Sequence, residues 1–288
     1  MRPRIETVIR GVAPLALAPL LASCDEGVLG PHGPIGQAEL QILFNATAIM
    51  LAVIVPVIVL TFAFAWWFRA GNRRARYLPD WEYSGKIEII VWAIPALVIV
   101  FLGGIAWIAS HDLDPPRPIE SAVAPLNVEV VSLDWKWLFI YPDQGVASVN
   151  RLVVPVGTPI HFRLTSASVM NSFFVPQLGS QIYTMAGMTT QLNLQADQAG
   201  TYKGLSAQFS GDGFSDMRFD LVASPPGDFQ AWVAATKGQG GRLDAAAYAA
   251  LAQPSEAVKP VTYADVAAGL FDTVSAGRAA GDLPHREQ

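Results

Sequence analysis

The sequence predicts a membrane protein in which a hairpin of two transmembrane helices precedes an exported all-β domain, and short helices close the chain. Of its 288 residues, 52% are hydrophobic and only 15% are charged, against roughly 25% charged residues in an ordinary soluble domain. The apolar excess is concentrated in the first 110 positions. The remainder has the short apolar runs and regular turn signals of a β-sandwich or small barrel.

Charge and cysteine content exclude several function classes. The formal net charge is -5, from 19 basic and 24 acidic residues, so the chain offers no phosphate-neutralising surface and nucleic acid is excluded as a partner. Cys24 is the single cysteine. The chain therefore cannot build an internal disulfide, a zinc ribbon or an iron–sulfur cluster from its own thiols.

Residues 1–23 have the layout of a bacterial signal peptide, with arginines before an apolar run that is too short to span a bilayer. The run ends in Leu-Ala-Ser-Cys, which resembles the lipobox of bacterial lipoproteins. The resemblance implies cleavage after Ser23, acylation of Cys24 and, because Asp25 follows, retention in the inner membrane. The alternative is a stray cysteine in an ordinary signal peptide.

Two later segments are long and apolar enough to cross a membrane. Residues 42–68 carry no charge and residues 87–109 carry one, where a spanning helix needs roughly 20 residues. The loop between them, residues 69–86, has five Lys and Arg residues, whereas residues 24–41 have none. The positive-inside rule therefore places this loop in the cytoplasm, and Cys24 and everything after residue 110 in the periplasm.

Glu88 is the only ionisable residue in either span. A carboxyl group in a membrane helix is costly, which makes Glu88 a candidate functional residue. The alternative is an interfacial glutamate that snorkels into the cytoplasm. Both interpretations stay open on the span alone.

After a proline-rich linker, residues 111–124, short runs predict the strands of one all-β domain over residues 125–224. The runs are Leu126–Leu133, Trp135–Ile140, Arg151–Val156, Pro159–Leu164, Thr189–Leu194 and Met217–Ala223. From residue 225 to residue 288, a C-terminal arm of short helices and a loose polar tail are expected. The predicted helices are Phe229–Lys237, Leu243–Ala252 and Val261–Val274.

Five short elements, in this order on a two-helix hairpin, are similar to subunit II of the haem-copper respiratory oxidases, and more closely to that of the cytochrome bo-type ubiquinol oxidases. The elements lie in residues 88–95, 134–142, 168–179, 180–187 and 206–217. The resemblance implies a cupredoxin sandwich for the β domain. It also implies that the C-terminal helices form the small arm of these subunits.

In the cytochrome c oxidases of this family, the β domain holds a dinuclear copper centre through two His, two Cys, a Met and a Glu backbone carbonyl. The corresponding positions here are Asn171, Ser206, Gln208, Ser210, Phe214 and Met217. Only Met217 keeps its donor, and copper needs thiolate and imidazole ligands. We therefore expect no metal in this chain and a role as apolar filler for Met217. The histidines, at positions 32, 111, 161 and 285, have no ligand spacing.

The missing donors imply a subunit that does not accept electrons from cytochrome c, in an inner-membrane oxidase that oxidises ubiquinol. This chain is expected to hold no cofactor, whereas the large partner subunit is expected to hold haems and copper. Other oxidase subunits and membrane lipid are further partners. The resemblance implies that Glu88 stands at the cytoplasmic mouth of a proton channel into the large subunit. Copper-bearing relatives have an aromatic relay in the segment of Trp135 and Trp137, whereas here we expect these rings to pack against the membrane-side subunit.

Two other functions remain open from the sequence. The first is a cytochrome c oxidase subunit II that has lost its copper site. The second is a non-respiratory membrane lipoprotein with a β-sandwich domain, for which the five matching elements would be coincidence.

Overall fold

The computed structural model describes residues 27–76 and 78–278. The predicted signal peptide, Cys24 and the last ten residues of the predicted tail lie outside the described residues. The chain divides into two units. Residues 40–114 form the helical hairpin, and the described residues 27–39 and 115–278 form the β domain with its flanking segments.

The hairpin consists of two long apolar helices, α1 (Pro34–Trp67) and α2 (Gly85–Asp112), both long and apolar enough to cross a membrane. At 34 residues α1 is about 51 Å long, well beyond the roughly 30 Å of a bilayer core. It begins eight residues before the predicted apolar span, with Pro34 in its first turn, where a missing N–H costs nothing. Pro56 and Pro95 lie inside the two helices, as neighbouring helices allow in membranes.

The β domain has twelve strands among the described residues, arranged in two sheets. They are β1 (Leu126–Leu133), β2 (Lys136–Tyr141), β3 (Val146–Val149), β4 (Arg151–Pro155), β5 (Ile160–Ser166), β6 (Asn171–Phe174), β7 (Ile182–Thr184), β8 (Thr190–Leu194), β9 (Gly200–Ser206), β10 (Arg218–Ser224), β11 (Gly241–Leu243) and β12 (Val261–Val266). The larger sheet has the order β11-β12-β3-β2-β1-β5-β8, and the smaller has the order β4-β10-β9-β6-β7.

The period-2 alternation of the strands sends apolar side chains to both faces of the larger sheet. On β2, Trp137, Phe139 and Tyr141 face the core between the sheets, whereas Leu138 and Ile140 face the C-terminal arm. This is why all six residues of β2 are buried. Burial on both faces explains a strand that reads as a continuous apolar run.

The core between the sheets is rich in aromatic rings. Phe173 of β6 and Phe219 of β10 stack with centroids 5.1 Å apart, and Trp137 meets Phe173 edge-on at 5.4 Å. Gly204 lies opposite Phe219 in the β9–β10 pair. A Cβ atom at Gly204 would come within 2.1 Å of the Phe219 ring, so this position must remain glycine for the ring to lie across the sheet.

The arm contains helices α3 (Pro226–Gln239), α4 (Ala245–Leu251) and α5 (Leu270–Ser275). The prediction of a helix over Val261–Val274 is wrong for its first half, where β12 pairs antiparallel with β3. β-Branched and aromatic residues in Val-Thr-Tyr favour a strand once a partner edge is present. The arm then packs Tyr248, Leu270 and Phe271 onto the outer face of the larger sheet.

Residues 27–36, which precede and begin α1, pack directly on the β domain. The His32 amide donates to the Gln177 carbonyl and the Asp197 amide donates to the His32 carbonyl, both at 2.8 Å. A Cβ atom at Gly33 would lie 2.1 Å from the Gln195 carbonyl oxygen. The start of the described chain is therefore part of the sandwich fold.

Candidate functional site

The six positions that correspond to copper ligands lie at one end of the sandwich. Asn171 begins β6 and Ser206 ends β9, and these strands pair antiparallel, so the two residues are neighbours. The other four positions follow within the loop that joins β9 to β10, residues 207–217, called here the β9–β10 loop. The strand register therefore brings residues 35 or more positions apart in the sequence to one place.

Hydrogen bonds link five of these positions in two separate groups. The Ser206 hydroxyl donates to Asn171 Oδ1 at 3.0 Å and also lies 3.2 Å from the Gln208 carbonyl oxygen. The Ser210 hydroxyl lies 3.9 Å from the Met217 sulfur. Met217 is only 1% exposed and belongs to the core. The site thus contains two small polar groups, one around the Ser206 hydroxyl and one formed by the Ser210 hydroxyl and the Met217 thioether.

Phe214 stands at the position that corresponds to the second histidine ligand, and its side chain has no donor atom. Its ring packs edge-on against Phe209, with centroids 5.6 Å apart, and Phe209 itself is 71% exposed. This part of the β9–β10 loop therefore presents an aromatic side chain outward. An aromatic contact between Phe214 and Phe209 therefore occupies the place where a copper site would need an imidazole.

These residues do not fit a copper centre. Serine hydroxyls cannot replace bridging thiolates, and a single thioether is a weak ligand without imidazole or thiolate beside it. Within residues 27–76 and 78–278, no group of three or more His, Cys, Asp or Glu side chains could hold a metal ion. His161 instead bonds Asn193 at 3.0 Å, and His285 lies outside the described residues.

The turn between β1 and β2 touches the same loop through Trp135. Its indole N–H donates to the Ser210 carbonyl at 3.0 Å, and its φ of 63° lies in the left-handed region. The expectation that Trp135 and Trp137 pack against a membrane-side subunit is wrong for Trp137, which is fully buried in this domain's own core. Alternation along β2 points that ring inward.

Lys136 is a functional candidate that the sequence analysis missed. Its side chain is buried, and its ammonium donates to the Asp134 carbonyl at 2.9 Å, the Gln253 carbonyl at 2.7 Å and the Ser255 hydroxyl at 2.6 Å. Burial lowers the pKa of Lys136, and the nearby Asp134 charge partly offsets this. The signal in the sequence is a lysine inside a strand that is otherwise apolar.

Besides the Lys136 hydrogen bonds, an ion-pair cluster around Arg163 connects the arm to the larger sheet. Arg163 of β5 bonds Glu129 at 2.8 Å and Asp272 of α5 at 3.0 Å, with its guanidinium 4.7 Å from the centre of the Phe271 ring. Burial raises the pKa of Glu129, and the Arg163 charge partly offsets this. The arm is held by charge as well as by apolar packing.

Glu88 lies in the hairpin unit, in the first turn of α2. Its side chain is exposed, and among the described residues it makes no hydrogen bond or ion pair. The helix dipole favours a carboxylate in this turn. Among residues 27–76 and 78–278, the Glu88 carboxyl group therefore has no hydrogen-bonding or ion-pair partner.

Comparisons with known proteins define the class. The family described as "Cytochrome C oxidase subunit II, periplasmic domain" matches residues 143–223, and "COX Aromatic Rich Motif" matches residues 237–276. A cupredoxin-like sandwich that follows two apolar helices and carries this arm is subunit II of the haem-copper oxidases. The predicted fold class is confirmed.

The relatives narrow the class further. "Cytochrome bo(3) ubiquinol oxidase subunit 2" of Pseudomonas aeruginosa is 50% identical over 259 residues, which cover 89% of this chain and 78% of the relative. "Ubiquinol oxidase subunit 2" of Acetobacter aceti is 48% identical over 279 residues, with 96% and 90% covered. The chain belongs to the ubiquinol oxidase subunit 2 family, as the resemblance predicted.

The periplasmic domain of subunit II of cytochrome oxidase of Bradyrhizobium japonicum is 23% identical to this chain, with a TM-score of 0.38. The match covers 41% of this chain and 96% of that domain.

Proposed function

We propose that this chain is the metal-free subunit II of a respiratory complex that oxidises ubiquinol, reduces oxygen and pumps protons. The observation that carries the proposal is the replacement of the copper donors by the Asn171–Ser206 hydrogen bond, the Ser210–Met217 contact and the Phe209–Phe214 contact. Without thiolate and imidazole donors the β domain has no redox centre for cytochrome c to reduce. Electrons must then reach the large subunit from quinol in the membrane.

In this proposal the large subunit holds the haems and copper. The β domain stabilises the large subunit by packing against it. Support for this role comes from the end of the sandwich that carries the β9–β10 loop. Several large apolar side chains there are 40% exposed or more. They are Val169, Met170, Tyr183, Met188 and Phe209. A group of exposed apolar residues of this kind marks a protein contact. We infer that this end of the domain packs against the other oxidase subunits.

Glu88 is proposed as the proton-collecting carboxylate at the cytoplasmic mouth of the large subunit's channel. Two observations support this role. The positive loop at residues 69–86 favours a cytoplasmic location for the start of α2, and the Glu88 carboxyl group has no partner among the described residues that would give it a structural role. A carboxylate at a channel mouth can take up a proton from water and release it inward.

Acylation of Cys24 is a further part of the proposal. We expect mass spectrometry to find a mature chain that begins at acylated Cys24. Cys24→Ser should abolish the lipid but leave the subunit in the membrane and the complex assembled, because two spans hold a protein far more firmly than acyl chains do. A mature chain with a free, unmodified N-terminus at another residue would contradict this prediction.

Affinity purification of the tagged subunit in mild detergent tests the proposed function. We expect a haem-rich integral membrane protein to co-purify with the subunit, without the absorbance of a dinuclear copper–thiolate centre. A subunit that purifies without haem would favour the lipoprotein alternative. Copper–thiolate absorbance in the complex would favour a cytochrome c oxidase.

A further inference from the structure

Three consecutive residues in the β1–β2 turn hold three separate segments of the β domain. The Asp134 carboxylate accepts a hydrogen bond from the Ser168 hydroxyl. Trp135 holds the β9–β10 loop, and Lys136 holds the part of the arm at residues 253–255. This turn, residues 134–136, is called here the anchoring turn.

Trp135 contacts the backbone of the β9–β10 loop directly. Besides the bond from the indole N–H to the Ser210 carbonyl, the ring lies against the backbone at two glycines. A Cβ atom would lie 3.1 Å from the ring at Gly211 and 2.6 Å from it at Gly213. The loop thus comes close to the indole only because these positions have no side chain. Trp135 also has a positive φ of 63°. A bulky residue adopts such left-handed backbone angles only where its surroundings fix it.

Lys136 attaches the arm to the same turn. All three acceptors of its ammonium are uncharged oxygens, from Asp134, Gln253 and Ser255, and the residue is only 1% exposed. The Ser255 amide also donates to the Asp134 carbonyl at 3.2 Å. A buried ammonium needs all of its protons bonded, so the arm cannot leave this position without exposing or stranding the charge.

We propose that the anchoring turn takes over the organising role that a metal would have in the β9–β10 loop, and that it fixes this loop and the arm as one docking surface for the haem-bearing subunit. Trp135 and Lys136 are positioning residues in this account. The identity of the partner rests on the proposed function. The coupling between the β9–β10 loop and the arm does not depend on the proposed function, and it can be tested separately.

Hydrogen exchange of the purified full chain in detergent, read by mass spectrometry, tests the coupling. In Lys136→Met we expect amide exchange at residues 253–257 and at residues 207–217 to accelerate by about tenfold or more, because bonds to a charged group are among the strongest. The core strands β1 and β5 should be unchanged. Lys136→Arg should restore part of the protection, since a guanidinium can reach some of the same oxygens.

Lys203→Met is the matched control. Lys203 is 78% exposed and pairs with Asp220 on the surface, so its loss should leave both segments as in wild type. If Lys136→Met does not fold, Ser255→Ala and Trp135→Phe test the same coupling with smaller changes. Acceleration confined to residues 253–257 in the Lys136 or Ser255 variant would overturn the coupling of arm and loop.

Retention of the haem-bearing subunit tests the docking role. Trp135→Ala should lower the amount of haem that co-purifies with this chain, whereas Lys203→Met should not. Full haem retention in Trp135→Ala, together with faster exchange in the β9–β10 loop, would overturn the docking role and leave the proposed function intact. Absence of haem from the wild-type preparation would instead contradict the proposed function, and the exchange experiment would still decide the coupling.

Discussion

Glu88→Gln is expected to slow quinol-driven oxygen uptake by roughly tenfold or more, because it removes the acidic group in the first turn of α2, which could load protons. Assembly and haem content should remain at wild-type levels, since the carboxyl group has no structural partner among the described residues. Glu88→Asp should be milder because it keeps the carboxyl group and only shortens its reach. The measurement is oxygen uptake by the purified complex, normalised to haem.

Glu82→Gln is the matched control for this experiment. Glu82 lies in the predicted cytoplasmic loop, six positions before Glu88 and outside α2, so its substitution should leave turnover unchanged. Wild-type turnover in every Glu88 variant would mean that the side chain only snorkels to the interface. Loss of haem or of subunit association in Glu88→Gln would instead indicate a packing role, and the proton-uptake proposal would be withdrawn.

Restoring the missing donors should create a copper site in a chain that we expect to bind none. Four substitutions are needed, namely Asn171→His, Ser206→Cys, Ser210→Cys and Phe214→His. The Gln208 carbonyl and the Met217 thioether already lie beside the positions to be changed, at 3.2 Å from Ser206 Oγ and 3.9 Å from Ser210 Oγ respectively. Thiolates and imidazoles then complete a donor set suited to copper.

Metal analysis after copper loading and dialysis measures the result. The fourfold variant should retain copper in near-stoichiometric amounts and gain the visible absorbance of copper–thiolate bonds, whereas wild type should retain none. A variant with only Ser206→Cys and Ser210→Cys is the control, because it lacks both imidazoles and should hold copper weakly. Failure of the fourfold variant would show that the β9–β10 loop no longer has the shape of a copper loop. Tight copper in wild type would contradict the metal-free proposal.

Local sequence pattern predicted much of the architecture. The bounds of β1 follow directly from its alternation, and both helices of the hairpin follow from long apolar runs. The neighbouring location of Asn171 and Ser206 was predictable only through the family resemblance, because it depends on the pairing of β6 with β9. Such long-range pairing leaves no local signal.

Other features depended on contacts that a linear pattern does not contain. The strand over Val261–Val266 forms because β3 offers it an edge, and the Val-Thr-Tyr run gives no sign of that partner. The role of Lys136 depends on Gln253 and Ser255, more than a hundred positions away in the sequence. Trp135 leaves the predicted strand because its backbone turns through a positive φ at the start of β2.

The choice of electron donor tests the central claim most directly. Oxygen uptake by the purified complex should be measured with a short-chain ubiquinol and, separately, with reduced cytochrome c. The metal-free account predicts rapid uptake with the quinol and none above background with cytochrome c, because the β domain has no centre that cytochrome c could reduce. Sustained oxygen uptake with cytochrome c alone, or no uptake with quinol, would contradict it.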